Sequence, residues 1–129
     1  MSFSITYNVG EKGVRPWGEW QVLDMQPHVV VKKLLLCPGG RISLQRHQHR
    51  TERWIVTAGV ATVLCDNNLM HLNVGESIMI PSGSIHRLSN NGTAPLALIE
   101  VQIGNYLSEE DIERFSDDYG RINEATVRQ

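Results

Sequence analysis

The sequence predicts an all-β sandwich or barrel, because three observations agree. Short runs of β-branched and aliphatic residues recur along the chain, turn residues separate the runs, and only one segment carries helix signals. The 129 residues are enough for one domain and too few for two. We therefore expect a single domain over residues 1–129, with its core at about 15–107 and a short C-terminal helix and tail at 108–129.

The predicted strands follow one another through short turns. They are expected at 29–37, 53–57, 60–65, 69–72, 77–80, 85–88 and 96–103. The Asp-Asn-Asn run at 66–68 favours a hairpin between the third and fourth of these strands. Residues 108–111 (Ser-Glu-Glu-Asp) have the form of a helix capping box, which predicts a helix from 108 to about 115.

Composition and charge exclude several classes of function. The 12 basic and 14 acidic residues give a formal charge of -2, which offers no electrostatic reason to expect a nucleic acid or an anionic membrane as partner. The longest uncharged stretches, 54–65 and 88–99, are 12 residues each and too short to span a bilayer. The first residues lack a basic start followed by an apolar run, so we expect a cytoplasmic protein with reduced thiols at Cys37 and Cys65.

The histidines suggest a metal site. Side chains alternate faces along a strand, so Gln45, His47 and His49 would point the same way. Glu52 opens the next strand and offers a carboxylate, and His86 follows a turn and can close the site from a neighbouring strand. Imidazole, carboxylate and amide oxygen together suit Zn, Mn, Co, Ni or Fe. The other two histidines stand alone in their strands, and we expect them to be structural.

Two motifs give this pattern a family resemblance. The spacing Gly39-(five)-Gln45-x-His47-(four)-Glu52-(six)-Gly59 resembles the first cupin motif, with Gln in place of the first His. The spacing Gly75-(five)-Pro81-x-Gly83-(two)-His86-(three)-Asn90 matches the second cupin motif. The resemblance implies a cupin double-stranded β-helix, a small jelly-roll barrel with a metal in its mouth. It selects Gln45, His47, Glu52 and His86 as ligands, although strand alternation alone would also permit His49.

Four segments narrow the resemblance to the type II mannose-6-phosphate isomerase family, which in bacteria often forms the C-terminal part of a bifunctional protein that also makes GDP-mannose. They are Arg-Pro-Trp-Gly at 15–18, Leu-Gln-x-His-x-His-Arg-x-Glu-x-Trp at 44–54, Ile-Pro-x-Gly-x-Ile-His-Arg-Leu at 80–88 and Phe-x-Asp-Asp-Tyr-Gly-Arg at 115–121. The likeness spans roughly 15–121. The chain departs from the family at Gln48, Thr51 and Arg53, and it has no Gly-rich nucleotide loop, so guanylyl transfer is not expected of it.

The resemblance implies a metal-dependent aldose–ketose isomerase that interconverts mannose 6-phosphate and fructose 6-phosphate or a related sugar phosphate. Since Glu52 would be a ligand, the proton between C1 and C2 must be moved by another group, and we predict His49 and Lys32 for this catalytic role. The phosphate needs cations, and Arg50, Arg121 and Lys33 are the predicted substrate-binding residues.

Two other functions remain open at the level of sequence. In the first, the domain is not an enzyme but binds a metal and a sugar as a sensor or as a subunit of a larger protein. In the second, it is an iron-dependent cupin dioxygenase, and Gln45 at the first ligand position disfavours this function. The resemblance also implies a homodimer, in which residues before Arg15 add to a partner sheet.

Overall fold

The computed structural model describes residues 2–119, which form strands joined by turns and contain no helix. The strands are β1 (Ser4–Ile5), β2 (Lys12–Arg15), β3 (Gly18–Gln26), β4 (Val29–Leu36), β5 (Leu44–Arg46), β6 (Arg50–Ala58), β7 (Ala61–Cys65), β8 (Asn68–Leu72), β9 (Ser77–Ile80), β10 (His86–Ser89), β11 (Leu96–Gly104), β12 (Tyr106–Leu107) and β13 (Glu113–Ser116). No helix in this part of the chain is long and apolar enough to cross a membrane.

Two antiparallel sheets face each other. One has six strands in the order β2-β3-β4-β11-β6-β9, and the other has five in the order β13-β5-β10-β7-β8. A short parallel pair, β1 with β12, joins the N-terminal segment to the end of β11. This architecture is the double-stranded β-helix that the sequence predicts.

The core fills the space between the sheets. Alternate residues of β4 and β11 point inward, and Val30, Leu36, Leu96 and Leu98 are fully buried there. Trp54 joins them from β6. The same alternation points Lys32 of β4, Glu52 of β6 and Glu100 of β11 inward, and all three are buried.

All seven predicted strands are present, with bounds that differ by a few residues. The predicted hairpin at 66–68 is also confirmed, since Asp66 and Asn67 adopt positive φ angles of 47° and 71° between β7 and β8. The sequence analysis did not find β1, β2, β3, β12 or β13, and the strand it expected at 45–49 is the shorter β5, which ends at Arg46.

The predicted C-terminal helix is wrong. Ser108 does cap a turn, because its Oγ accepts a hydrogen bond from the backbone N–H of Glu110 at 3.1 Å. The chain then extends as β13 and pairs with β5, with Glu113 opposite Arg46. The backbone hydrogen bonds between β13 and β5 stabilise an extended conformation here more than the capping pattern at 108–111 favours a helix. The part of this prediction beyond residue 119 lies outside the described residues.

A glycine at the end of β11 sets the position of the segment before β6. A Cβ at Gly104 would lie 2.1 Å from the carbonyl oxygen of His49, so no larger residue fits. This close approach lets the chain bend at 47–49 and enter β6 at Arg50.

Candidate metal centre and substrate cavity

An open cavity of about 560 Å³, including its mouth, lies between the two sheets. Four cationic and three acidic side chains line it, with Gln45, His47 and three tryptophans among the rest. The charged residues are Arg15, Lys32, Arg50, Arg114, Glu52, Glu100 and Glu109. A cavity with so many converging charges is typical of a binding or catalytic site.

Two buried histidines each have one ring nitrogen bonded to a backbone carbonyl oxygen. His47 Nδ1 donates to the carbonyl oxygen of Asp111 at 2.7 Å, and His86 Nδ1 donates to the carbonyl oxygen of Ser84 at 2.9 Å. Because a carbonyl oxygen only accepts, each bond places a proton on Nδ1 and leaves Nε2 as the nitrogen that can bind a metal. The rings lie 5.0 Å apart between centroids.

Glu52 and Gln45 complete the group. One ligand atom from each of His47, Glu52 and His86 lies within 4.8 Å of the others, and all three side chains are buried. Gln45 lies directly opposite His86 in the β5–β10 pair, and its amide nitrogen is 3.2 Å from His47 Nε2. Three of the four predicted ligands, His47, Glu52 and His86, therefore meet at one place. Gln45 lies beside them, but its amide oxygen accepts a hydrogen bond from Ser43 Oγ at 2.7 Å.

The donor set fits a divalent cation. His86 is fully buried, yet its Nε2 has no hydrogen-bond partner among residues 2–119. An unpartnered buried nitrogen is costly unless something else binds it. A metal ion bound by two imidazoles and a carboxylate would satisfy that nitrogen, and mixed nitrogen and oxygen ligands suit Mn, Fe, Co, Ni or Zn.

Arg50 is part of the same cluster. Its Nε donates to Glu52 Oε2 at 2.8 Å, and another nitrogen donates to the carbonyl oxygen of Ser108 at 2.9 Å. A third nitrogen lies 3.3 Å from His47 Nε2. Trp54 Nε1 donates to the other Glu52 oxygen at 2.9 Å. The carboxylate is therefore oriented from both sides before any cation binds.

Burial and charge set the protonation states of this cluster. Burial lowers the pKa of His47 to about 4, which leaves the ring neutral at physiological pH. Burial alone would raise the pKa of the Glu52 carboxyl, but the positive charges that His47 and Arg50 can carry bring it below its usual range. Because His47 is neutral, the positive charge next to the Glu52 carboxylate is that of Arg50. The expected state, neutral imidazole beside carboxylate, is the one that metal ligands require.

Lys32 extends from β4 into the cavity and is 3% exposed. Its Nζ donates to Tyr7 Oη and to Glu109 Oε2, both at 2.9 Å, and lies 4.0 and 4.3 Å from the ring centroids of Tyr7 and Trp20. Burial alone would raise the pKa of the Glu109 carboxyl, but the charge of Lys32 holds it below its usual range. Lys32 is therefore a fixed positive charge near the cavity wall.

Glu100 is the acidic residue that the sequence reading missed. It lies on β11 between Lys32 of β4 and Trp54 of β6, and it is 6% exposed. One oxygen accepts a hydrogen bond from the Gln102 amide. Burial, and then the negative charge of Glu52, raise its pKa to about 7. A carboxyl of this kind can hold or release a proton at physiological pH.

Three predicted site residues need correction or remain open. The placement of His49 on the inward face is wrong, because β5 ends at Arg46 and the chain bends before β6; the His49 ring is exposed and packs edge-on against Tyr106 at 5.5 Å. Lys33 points to the outer face of its sheet and does not line the cavity. Arg121 lies outside the described residues. Lys32 and Arg50 line the cavity, and their catalytic and substrate-binding roles stay predictions.

Two further arginines line the cavity. Arg15 lies with its guanidinium carbon 5.7 Å from the Trp20 ring centroid and with one nitrogen 3.8 Å from a Glu109 oxygen. Arg114 was hidden by the incorrect helix prediction, since only its place on β13 brings it to the cavity. The sequence contains a signal for Glu100. It lies two residues after Leu98 and four after Leu96 in an apolar strand, so its side chain points to the same, inward face as theirs, where a charged residue is unusual.

The fold and the site together define a cupin barrel with a candidate metal centre in its interior. Comparison with known families makes the assignment specific: the model of the family described as mannose-6-phosphate isomerase C-terminal matches residues 5–117. The chain belongs to this family.

Similar proteins agree with this assignment. The chain is 51% identical over 116 residues to the alginate biosynthesis protein AlgA of Pseudomonas syringae, covering 88% of this chain and 24% of that protein. It is 44% identical to the mannose-1-phosphate guanylyltransferase of Escherichia coli, covering 90% and 24%. The chain thus spans about a quarter of the length of these relatives. The capsular polysaccharide assembling protein CapF of Staphylococcus aureus shares the fold, with a TM-score of 0.69, 19% identity and coverage of 86% and 32%.

Proposed function

We propose that this chain is a metal-dependent aldose–ketose isomerase that interconverts mannose 6-phosphate and fructose 6-phosphate. The observation that carries the proposal is the meeting of His47, Glu52 and His86, beside a cavity that Gln45, His47, Glu52 and Glu100 line. Membership of the mannose-6-phosphate isomerase family supports the choice of substrate.

The four ligands would hold a divalent ion such as Zn, Mn, Co, Ni or Fe. When bound, the ion supplies Lewis-acid polarisation of the sugar oxygens at C1 and C2. Arg50 and Trp54 hold the Glu52 carboxylate in its orientation, and the carbonyl oxygens of Asp111 and Ser84 hold the two imidazole rings.

Glu100 is the best-placed group for the proton transfer. In its ionised form the carboxylate takes the proton from C2 of the open-chain aldose, and the electrons of the C2–H bond form the C1=C2 bond of an enediolate. The proton of the C2 hydroxyl passes to the C1 oxygen, and the same carboxyl then returns its proton to C1 as the C2 carbonyl of the ketose forms. The Lys32 ammonium on the neighbouring strand provides a positive charge that favours the developing negative charge of the enediolate.

The phosphate of the substrate would bind to the cavity cations that are not committed to Glu52. Arg15 and Arg114 line the same cavity, and a guanidinium group can hold a phosphate with two parallel hydrogen bonds. Arg121 remains a predicted phosphate ligand.

The experiment is an isomerase assay on chain stripped of metal and then supplied with Zn, Mn, Co, Ni or Fe(II). Conversion of mannose 6-phosphate, followed by 13C NMR of C1-labelled sugar, is expected for the wild type and for His71→Ala, which removes an exposed histidine of β8. His86→Ala should lose the activity. Absence of turnover with all five metals in folded, metal-bound chain would refute the isomerase, and sugar-phosphate binding without turnover would favour a non-catalytic subunit.

A further inference from the structure

Gln102 is a buried side chain whose amide group has a partner on one side only. It lies on the inward face of β11, is fully buried, and lines the cavity. Its Nε2 donates a hydrogen bond to a carboxyl oxygen of Glu100, whereas its Oε1 has no hydrogen-bond partner among residues 2–119. A buried acceptor without a partner is costly, so this oxygen calls for a donor from outside the described chain.

The strands on either side of β11 do not supply this donor. Gln102 lies opposite Val30 of β4 and opposite Glu52 of β6. Val30 has no polar side-chain atom, and the two Glu52 oxygens already accept hydrogen bonds from Arg50 and Trp54. An ionised carboxylate only accepts, so it offers nothing to a second acceptor. Since Gln102 lines the cavity, the donor that it lacks is one that enters there.

We propose that Gln102 Oε1 accepts a hydrogen bond from the C3 hydroxyl of the open-chain sugar phosphate, which makes Gln102 a specificity-determining residue. The inference rests on the proposed function, in which the metal ion polarises the oxygens at C1 and C2 and Glu100 takes the proton from C2. Because the Gln102 amide is hydrogen-bonded to Glu100, its oxygen lies close to the groups on the carbons next to C2. The C1 oxygen is committed to the ion, which leaves the C3 hydroxyl as the donor.

The hydrogen bond to Glu100 sets which end of the Gln102 amide faces the sugar. A carboxylate accepts, so Glu100 binds the amide NH2 group and leaves the carbonyl oxygen for the ligand. Before the sugar binds, a water molecule can donate to this oxygen, and the C3 hydroxyl then replaces that hydrogen bond. A sugar without the C3 hydroxyl leaves the buried oxygen unpaired, and sites built in this way discriminate against the analogue that lacks the group.

The test is calorimetric titration of chain loaded with Mn or Zn with mannitol 6-phosphate, an open-chain analogue that has no carbonyl group and cannot isomerise. The wild type should bind it at least about 10-fold more tightly than its 3-deoxy analogue. Gln102→Met keeps a similar volume without the amide, and it should bind the two ligands with equal affinity. Gln26→Met is the matched control, because Gln26 is an exposed glutamine of β3 in the same sheet, and it should keep the wild-type preference.

The outcomes separate this inference from the proposed function. Equal binding of the two ligands by the wild type, or an undiminished preference in folded Gln102→Met, would overturn the inference and leave the isomerase in place. Weaker metal binding by folded Gln102→Met would also overturn it, because Gln102 would then act as a metal ligand. Absence of mannitol 6-phosphate binding by metal-loaded wild type would count against the proposed function, and the inference would fall with it. Circular dichroism verifies the folding of each variant, and the comparison of the two ligands on the wild type needs no variant.

Discussion

Glu100 is the residue to which we assign the proton transfer, and what surrounds its carboxyl group explains why. It lies on an otherwise apolar inward face, near Glu52 and beside Lys32, and its raised pKa follows from burial first and from the charge of Glu52 second. The meeting of His47, Glu52 and His86 was predictable from the motif spacing, and the ligand roles of these residues and of Gln45 stay predictions. The position of His49 was not, because alternation holds only within a strand and β5 ends at Arg46.

Glu100→Gln should lower kcat by about 10²–10⁴, because the amide cannot accept the substrate proton. The divalent metal should still bind, since Glu100 is not one of the four ligands. Steady-state kinetics and a metal titration measure the two effects, with Glu110→Gln as an exposed carboxylate control. Full activity in Glu100→Gln would assign the proton transfer to another group.

The stability of the metal-free protein should depend on pH through Glu100. The folded-state pKa of about 7 lies above the ordinary value of 4.5, so folding favours the protonated acid, and its stabilising contribution is lost as pH rises from about 4.5 to about 7. Glu100→Gln should therefore gain stability relative to wild type across this window, by up to about 3 kcal/mol. Urea unfolding at several pH values measures the difference, and a pH-independent difference would contradict the raised pKa.

At the scale of elements, the segment 108–112 fastens the bend between β5 and β6. Asp111 accepts hydrogen bonds from the backbone N–H groups of Gln48 and His49, both at 3.0 Å, and its carbonyl oxygen holds His47. The sequence reading placed a helix here because Ser108 and Asp111 form a local capping pattern. The pairing of β13 with β5 depends on residues more than sixty positions away, and no local pattern reports it.

Asp111→Ala should loosen this bend and with it the His47 ring. We expect a loss of about 1–3 kcal/mol in the free energy of unfolding, since two partly buried N–H groups lose their partner. Metal affinity should fall about 10–100-fold, as is usual when the support of a ligand is removed. Calorimetric metal titration and urea unfolding measure both, and Glu110→Ala is the neighbouring exposed control. Unchanged metal affinity would show that the bend does not position His47.

At the scale of the whole molecule, the candidate metal centre joins the two sheets. Gln45 and His86 come from the five-stranded sheet, and Glu52 comes from the six-stranded sheet. The all-β class and the individual strands could be predicted from turn residues and apolar runs. The order of strands within each sheet could not, because β11 pairs with β4 and β6 from distant parts of the chain.

An ion bound between the sheets should stabilise the whole fold. At a free ion concentration of 100 times the dissociation constant, the gain is about 2.7 kcal/mol. Thermal unfolding with and without a chelator should show a higher midpoint for the metal-bound wild type, and no such gain for His86→Ala. An equal gain in that variant would place the stabilising ion elsewhere.

The most direct test of the shared metal centre is calorimetric titration of metal-free chain with a divalent ion such as Mn or Zn. Our interpretation predicts one ion per chain, with an affinity that falls at least about 100-fold in His86→Ala and is unchanged in His71→Ala. Absence of binding in the folded wild type, or equal affinity in His86→Ala, would contradict it.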